Sequence, residues 1–449
     1  MRCKIAVCGA LTVAFAAAQV TIQGVVSSVS FQPQICPGAP AAIFGVGLAE
    51  GISQATATPL PTLLGGTAVE IGGIRAPLYF VSPGQVNFQV PFELAPGSVD
   101  VRVVTTEGTS APHSVKLDAV APAIFSRGGN GLSPPLLISS DFQLLDSVVP
   151  LQTIILYAAG LGQTDPAWSS GTAGGVSPVQ QTVLPVLVGV GDTGTPVWFA
   201  GAAPGFAGVY QLNITIPPHP ATDVLAIAVR QDNIGVFGPS LSIPIRNPAV
   251  KQATGSIEFL YPAPGYAANI LPVPVVVRYS ADVETIEGAG DYLLSLSCNS
   301  GESHIMVSPA TGRYAVDMYV PTLAARQGDF SATDLLARDL LLPGGPPFPN
   351  NVVPPNRLDP AGLRALNLVP APNGAAAARS PLAPYQGAGT FAAGTHFHLD
   401  GATTPDPTIA AGYLSFPSGT VPQGSSNYGC SLFLDGMVLD RKSISIRWP

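Results

Sequence analysis

Hydrophobic and polar side chains alternate strictly along several short stretches of this chain. In residues 85–90, three apolar side chains share one face and three amide side chains share the other. Residues 210–216 show the same pattern, and residues 99–103 alternate valine with charged residues. A period of two predicts β-strands that turn one face to a core and the other to water.

Glycine and proline separate these stretches. The chain holds 49 glycines and 47 prolines among 449 residues, and only 10% of its residues are charged. Both residue types disrupt helix interiors, so a mostly helical fold is excluded. A hydrophobic fraction of 47% is too high for a disordered polymer. The composition therefore predicts an all-β protein with frequent turns, as in a β-sandwich.

The pattern also occurs twice in the same order, which indicates an internal duplication. We expect two tandem sandwiches, residues 24–118 and 119–247. Three pairs of segments correspond: 43–49 with 155–162, 60–73 with 182–194, and 76–91 with 195–217.

The duplicated region resembles a known family. The resemblance rests on the motifs FQPQICPGAPAAIFGVGLA, LGGTAVEIGGIRAPLYFVSPGQVNFQVP and PVWFAGAAPGFAGVYQLNITIP. They are similar to exported soil-bacterial (acidobacterial-type) proteins with tandem immunoglobulin-like domains related to IPT/TIG domains. The resemblance implies immunoglobulin-like sandwiches at the cell surface or in the periplasm, and it brings no catalytic residue to this sequence. In such proteins this region often ends the chain, whereas residues 248–449 follow here.

The first residues are typical of a secretory signal peptide. Arg2 and Lys4 flank the start of an apolar run over 5–17, and small residues follow. We expect residues 1–18 to be cleaved before Gln19; the alternative is a buried N-terminal strand or helix. No later apolar run reaches the roughly 20 residues of a membrane-spanning helix. The sequence therefore predicts export to the periplasm, the outer-membrane surface or the extracellular space, without a transmembrane helix.

Three of the five cysteines remain after such a cleavage. An exported protein meets oxidising conditions, where Cys298 and Cys430 of the C-terminal region can pair. Closing so long a loop contributes about 4–5 kcal/mol in the chain-entropy model. The alternative is two unpaired buried thiols. Cys36 is then left over, and we expect it to be buried.

Residues 248–449 are β-rich but less regular. Strands are predicted over Val273–Tyr279 and Tyr314–Val320, and alternation over 443–448 predicts another strand near the end of the chain. An irregular insert over 320–395 interrupts this pattern.

The insert carries two local signals and a second resemblance. Asp359 followed by Pro360 predicts a short helix near 360–368. Residues 374–394 are rich in alanine, glycine and proline, which predicts a flexible linker or loop. Segment 320–373, which includes PFPNNVVPPNRLDPAGLRALNLVPAPN, resembles part of soil-bacterial TonB-dependent outer-membrane receptors. That resemblance implies an outer-membrane neighbourhood.

Two patterns suggest ligand chemistry. Residues 189–194 match the pattern G-x-G-x-x-G. A dinucleotide site needs a helix directly after this motif, but a strand pattern follows here, so a hairpin is the favoured interpretation.

His396 and His398 share one face of a strand with Asp400, which suits a zinc site. The alternative is ordinary exposed histidines, so metal binding stays a weak candidate and no cofactor is predicted.

Catalytic motifs are missing from the sequence. It contains no G-x-S-x-G, no H-E-x-x-H and no P-loop, and the neighbouring acids Asp282 and Glu284 are typical of a solvated strand face. A net charge of −8 excludes a nucleic-acid partner. Trp168, Trp198 and Tyr266 near turns are candidates for a sugar-stacking platform, or complete a core.

These observations predict a non-enzymatic exported structural or interaction protein of the cell surface or periplasm. Its partner is a protein or a polysaccharide. A carbohydrate-binding accessory module is the second hypothesis, based on the aromatic residues and outward amides. A component associated with an outer-membrane uptake system is the third, based on the insert.

Overall fold

The computed structural model describes residues 20–191, 193–231, 234–401, 406–416, 420 and 422–449. The predicted signal peptide, residues 1–18, lies outside the described residues. Strands make up 49% of the structure and helices 4%, which confirms the predicted all-β class. Within the described ranges, no helix combines the length and the apolar character needed to cross a membrane.

Residues 20–118, all of them described, form two facing antiparallel sheets, which we call the first sandwich. Its strands are β1 (Thr21–Ser27), β2 (Pro40–Val46), β3 (Ser53–Gln54), β4 (Ala68–Ile71), β5 (Ile74–Arg75), β6 (Leu78–Val81), β7 (Gln85–Gln89), β8 (Gly97–Thr105), β9 (Gly108–Thr109) and β10 (His113–Leu117). The larger sheet has the order β1-β2-β7-β6-β3, and the other has the order β10-β8-β4-β5 with β9 beside β8. Val86 and Phe88 of β7 and Val101 and Val103 of β8 are fully buried between the sheets, as their alternation predicted, and Val99 packs partly buried against them.

The described residues between 119 and 247 form a second sandwich on the same plan. Its strands are β11 (Ala123–Ile124), β12 (Leu137–Ser139), β13 (Leu144–Leu145), β14 (Thr153–Ala159), β15 (Thr164–Asp165), β16 (Gln181–Thr182), β17 (Val186–Val190), β18 (Thr193–Thr195), β19 (Val197–Ala202), β20 (Tyr210–Thr215), β21 (Val224–Gln231), β22 (Ile234–Phe237) and β23 (Leu241–Ser242). The larger sheet has the order β13-β12-β14-β20-β19-β16-β15 with β11 beside β14. The other has the order β18-β17-β21-β22 with β23 beside β21.

The two sandwiches place their duplicated segments alike. Strands β2, β7 and β6 are neighbours in the first sandwich, as β14, β20 and β19 are in the second. β6 and β19 each carry a bulge at the same point of the repeat, between Leu78 and Phe80 and between Val197 and Phe199. The predicted tandem β-sandwiches are confirmed.

The C-terminal region adds two larger sheets around a shared core and one two-stranded sheet. Its elements are β24 (Val250–Tyr261), β25 (Ile270–Leu271), β26 (Val273–Thr285), β27 (Tyr292–Cys298), β28 (Gly301–Ser308), β29 (Arg313–Pro321), α1 (Leu323–Arg326), β30 (Arg338–Asp339), α2 (Pro360–Leu366), β31 (Leu382–Thr390), β32 (His396–Leu399), β33 (Ile409–Leu414), β34 (Ser425–Leu434) and β35 (Met437–Arg447), with 3₁₀ turns at Pro349–Asn351 and Pro355–Arg357. One sheet holds β24, β26, β32 and β33, and the other has the order β31-β29-β28-β27-β34-β35. β25 pairs with β30.

The predicted strands and the predicted helix of this region are confirmed. They correspond to β26, β29, β35 and α2. Asp359 caps α2, because its carboxylate accepts a hydrogen bond from the Ala361 amide at 2.8 Å, and Pro360 occupies the first helical position.

The prediction of a flexible linker or loop over 374–394 is wrong for its centre. β31 pairs along its whole length with β29. Glycine serves close packing here: a Cβ at Gly389 would lie 2.3 Å from the hydroxyl oxygen of Tyr314, so the ring covers the strand only because the side chain is absent. Composition alone does not distinguish such packing from flexibility.

Candidate functional site

The two predicted histidines lie at the surface of the C-terminal region. His396 and His398 on β32 pair with Glu284 and Asp282 of β26. Nε2 of His396 and Nδ1 of His398 lie 3.0 and 3.1 Å from the carboxylate oxygens of Asp282, and Nε2 of His398 lies 3.3 Å from Asp400. The hydrogen bond from His396 holds the pKa of the exposed Asp282 carboxyl below its usual range. Among the described residues, no group of three or more such side chains is arranged to hold a metal ion.

Cys298 and Cys430 face each other across β27 and β34 and form a disulfide. Their Cα atoms lie 4.1 Å apart. Cys36 is a free, buried thiol, and burial raises its pKa to about 12. A thiol in that state is uncharged at neutral pH and is a poor nucleophile.

The glycine-rich motif of the second sandwich is a hairpin. Gly189 pairs with Gly194, and Val188 with Thr195, across β17 and β18. The motif is therefore followed by a strand. A pyrophosphate site would need the amides of a helix N-terminus at this place, so the hairpin interpretation is confirmed.

The three aromatic candidates do not form one platform. Trp168 is buried, and its ring packs on Phe92 and Tyr210 at centroid distances of 5.7 and 5.3 Å. Tyr266 belongs to the C-terminal region, where it packs edge to face on Tyr261. Trp198, at the bulge of β19, is 70% exposed. Trp168 and Tyr266 therefore complete packed clusters, whereas Trp198 is exposed to solvent.

The first junction, between the two sandwiches, is built around Gln89. Alternation places Gln89 on the solvent face with Gln85 and Asn87, and this prediction is wrong, because Gln89 is fully buried. Its Nε2 donates to the Gly38 carbonyl at 3.1 Å, and its Oε1 accepts from the Gly171 amide at 2.6 Å. A glutamine of the first sandwich thus satisfies backbone groups of both sandwiches.

A second loop closes the same junction. The hydroxyl of Tyr79, the bulged residue of β6, donates to the carbonyl of Ala207 at 3.0 Å, and burial raises the pKa of this phenol. Gly208 lies so close that a Cβ there would be 2.7 Å from the Tyr79 oxygen and 3.0 Å from the Gly38 oxygen. At a φ of +68°, this position favours glycine on backbone grounds as well. The Phe92 amide also donates to Oγ of Ser170 at 2.8 Å.

The second junction, between the second sandwich and the C-terminal region, is built around Asp435. This carboxylate is 1% exposed and lies in the turn between β34 and β35. Its oxygens lie 3.0 Å from Nδ1 of His219, 3.0 Å from Nδ2 of Asn247 and 2.8 Å from the Leu293 amide. The hydrogen bond to Asp435 raises the pKa of His219, and the charge of Asp291 adds to this effect.

Two further contacts stabilise this second junction. Arg441 donates to the largely buried Asp223 of the second sandwich at 2.7 Å. The buried hydroxyl of Ser295 donates to the carbonyl of Ala221. No sequence periodicity signals any of these residues, since each partner is distant along the chain.

The outer face of the larger sheet of the second sandwich is open. Its central strands β14, β20 and β19 contain no charged residue. On β20, Nε2 of Gln211 donates to Oδ1 of Asn213 at 2.9 Å. The next outward residue, Thr215, accepts from Nε1 of Trp198 at 2.8 Å and lies 3.1 Å from the Thr153 hydroxyl. The indole edge is therefore fixed, and its ring face is exposed.

A groove of about 500 Å³ at the first junction adjoins this face at Phe206. Phe206, 54% exposed, lines it and lies 6.1 Å from the ring of Tyr157, which pairs with Gln211. All residues that line the groove are uncharged, and Tyr79 and Asn87 of the first sandwich are among them. Face and groove together form one uncharged surface, which we call the Trp198 face.

One family model matches part of the chain. Residues 307–428 match a family described as an outer membrane beta barrel domain. This stretch is well under half of the chain, so it does not place the whole protein in that family. It contains the segment 320–373, for which the sequence resembles outer-membrane receptors. No curated protein matches the chain.

Solved structures show distant likeness. SGBP-B of Bacteroides ovatus, in complex with a mixed-linkage heptasaccharide, is 11% identical with a TM-score of 0.23, covering 63% of this chain and 66% of that one. The Escherichia coli adhesin FdeC is 10% identical with a TM-score of 0.18, covering 68% and 92%. An I-band fragment of titin is 9% identical with a TM-score of 0.16, covering 68% and 94%. The chain spans less than two thirds of the first of these proteins. At such scores the likeness carries no argument about function.

Proposed function

We propose that this protein is a non-enzymatic structural and interaction protein of the cell surface or periplasm, whose three β-units act as one stiff body. The units are residues 24–118, 119–247 and 248–449, the first two being IPT/TIG-like. The observation that carries the proposal is the burial of polar side chains at both junctions. Gln89 and Asp435 bond to backbone groups that would otherwise be buried without partners, which is costly.

Separation of the units would therefore be unfavourable. A flexible chain of domains joins its units through solvated linkers with few contacts between them. Here loops of the second sandwich hold the first sandwich, and the Asp435 turn holds the second. Such a body suits a role in spacing and presenting surfaces, and loops and sheet faces are where such proteins carry their contacts.

The location is supported by two independent features. The N-terminal pattern is typical of export, and residues 307–428 match an outer membrane family model. An association with an outer-membrane uptake system is a second candidate function, favoured by that match alone. Fractionation of the native cells tests it: recovery with an outer-membrane receptor supports the association, and recovery only as a free periplasmic or secreted protein contradicts it.

Hydrogen exchange tests the stiff body. The amide hydrogens of Gly171 and Leu293 bond to Gln89 and Asp435, so we expect them to exchange as slowly as amides in β7 and β20. The exposed turn at 106–107, between β8 and β9, provides a fast-exchanging control within the same protein. Exchange of Gly171 and Leu293 at the rate of that turn would contradict the proposal.

A further inference from the structure

The duplication lets two equivalent aromatic residues be compared directly. Tyr79 and Trp198 occupy the bulge of β6 and of β19, and each lies beside a strand with outward amides. In the first sandwich, Nε2 of Gln85 donates to Oδ1 of Asn87 at 2.8 Å, as Gln211 donates to Asn213 in the second. The loop around Ala207 covers Tyr79, whereas Trp198 is exposed.

In the part of the chain that the structure describes, the covering loop has no free second copy. The counterpart of the loop around Ala207 in the first sandwich is the turn 82–84, which is shorter. That turn is bonded within its own sandwich, because the carbonyls of Pro83 and Gly84 accept from the amides of Leu48 and Gly45. A second molecule of this chain therefore cannot cover Trp198 in the way that Tyr79 is covered. The Trp198 face is left to a partner of another kind.

The chemistry of the Trp198 face selects that partner. It offers aromatic rings, amide groups and hydroxyls, and its three central strands carry no charge. The hydrogen bond between Gln211 and Asn213 leaves Oε1 of Gln211 as an acceptor and Nδ2 of Asn213 as a donor. Aromatic rings provide apolar area with few side-chain torsions to immobilise, and paired donors and acceptors match hydroxyl groups. A charged ligand would find no counter-ion on these strands.

The length of the face indicates an extended ligand. Phe206 lies beside Tyr157, which pairs with Gln211, and Trp198 bonds to Thr215, four positions further along β20. The rise of a strand separates these two points by about 13 Å. The nearest carboxylate in the row of Gln211 is Asp165 on the edge strand β15, three strands away or about 14 Å.

We propose that the Trp198 face binds a neutral polysaccharide chain, which stacks on Trp198 and continues across Gln211 and Asn213 into the groove at Phe206. The inference names a partner class for the proposed interaction protein and rests on that function. The hydrogen bond from Nε1 to Thr215 fixes the indole before binding, which lowers the entropic cost of association.

Native gel electrophoresis in the presence of soluble polysaccharides tests the proposal. The full chain is run with hydroxyethylcellulose, xyloglucan, galactomannan, dextran and soluble starch as neutral probes, and with polygalacturonate as a charged probe. We expect retardation by at least one neutral probe and none by polygalacturonate. The variant Trp198→Ala should bind about tenfold more weakly, as is usual when an aromatic anchor is truncated. Trp198→Phe should retain part of the binding.

Phe237→Ala is the matched control. Phe237 is 73% exposed but lies on β22, in the other sheet of the second sandwich, so its removal should leave retardation unchanged. Phe206→Ala should weaken binding, because Phe206 lines the groove. Unfolding curves that coincide for wild type and Trp198→Ala establish that a loss of binding is local.

Three results would overturn the inference. One is the absence of retardation by every neutral probe, and another is equal retardation of the wild type and Trp198→Ala. Self-association that disappears in Trp198→Ala, measured by sedimentation, would instead assign the face to a second copy and also overturn it. None of these results changes the hydrogen exchange at Gly171 and Leu293, so the stiff body is tested separately.

Discussion

The junction between the two sandwiches has a neutral buried centre, whereas the junction between the second sandwich and the C-terminal region is centred on a buried carboxylate. Gln89 and Tyr79 form the first junction through uncharged hydrogen bonds. Asp435 forms the second, with a histidine, an asparagine and a backbone amide around it. The same task, joining two sandwiches, is therefore done with two kinds of chemistry.

The difference has physical consequences. A neutral hydrogen bond changes little with pH or salt, and removing one partner costs the desolvation of the other. A buried carboxylate interacts more strongly with its partners, and the protonation state of a partner then affects stability. The second junction should therefore be the stronger of the two, and its stability should depend on pH. The stability of the first junction should not depend on pH.

The largest expected effect is at the second junction. Asp435→Ala leaves the Leu293 amide, Asn247 and His219 without their shared acceptor, so we expect a loss of about 3 kcal/mol in the free energy of unfolding. Urea unfolding measures it. Asp334→Ala is the control, because Asp334 and Arg379 form an exposed ion pair that is worth at most about 1 kcal/mol. Equal losses in both variants would show that the buried cluster contributes nothing.

A smaller loss is expected at the first junction. Gln89→Leu keeps the side chain's approximate size but leaves the Gly171 amide and the Gly38 carbonyl buried without partners. We expect a loss of about 2 kcal/mol in urea unfolding. Gln211→Leu, at a partly exposed amide of the open face, is the control and should change stability by no more than about 0.5 kcal/mol. A Gln89→Leu variant with the same free energy of unfolding as the wild type would contradict the assignment of Gln89 to the junction.

The two aromatic residues at the strand bulges should also contribute differently to stability, the covered Tyr79 more than the exposed Trp198. Tyr79→Phe removes the hydrogen bond to Ala207 and should cost about 1 kcal/mol. Trp198→Phe removes an exposed hydrogen bond to Thr215 and should leave the free energy of unfolding within about 0.5 kcal/mol of the wild type. Equal effects in thermal unfolding would remove the distinction between a covered and an open face.

The smallest effect is the pH response of the second junction. The pKa of His219 is raised in the folded protein, so its stabilisation is complete below about pH 6.5 and is lost as pH rises through the higher folded value. From pH 6 to pH 9 the wild type should therefore lose more stability than His219→Gln. The difference should be less than about 1 kcal/mol, because His219 is about one third exposed. Identical losses of stability in the wild type and His219→Gln would exclude His219 as the source of the pH dependence.

Alternation and duplication carried most of the fold prediction. Val86, Phe88 and Val90 are buried as their period of two requires, and the paired segments lie at equivalent places in the two sandwiches. Local chemistry sufficed for the helix at Pro360, since its cap is its sequence neighbour. β31 was missed because its glycines serve packing against Tyr314, a contact with a distant strand.

The junctions could not be predicted in this way. Gln89 lies on the same face of β7 as Gln85 and Asn87. It is buried only because the loop that contains Gly171 lies against it. Asp435 followed by Gly436 resembles any solvated turn, and its partners lie at distant positions of the chain. The openness of Trp198 could likewise not be read from the sequence, where core packing was the favoured interpretation, because the covering loop exists for Tyr79 alone of the two.

Small-angle X-ray scattering of the chain tests the stiff body most directly. Two buried junctions predict one scattering profile that fits a single arrangement of the three units and does not change between low and moderate salt. Gln89→Leu combined with Asp435→Ala should increase the maximum dimension by loosening both junctions. A wild-type profile that requires a broad ensemble of arrangements, indistinguishable from that of the double variant, would contradict the account.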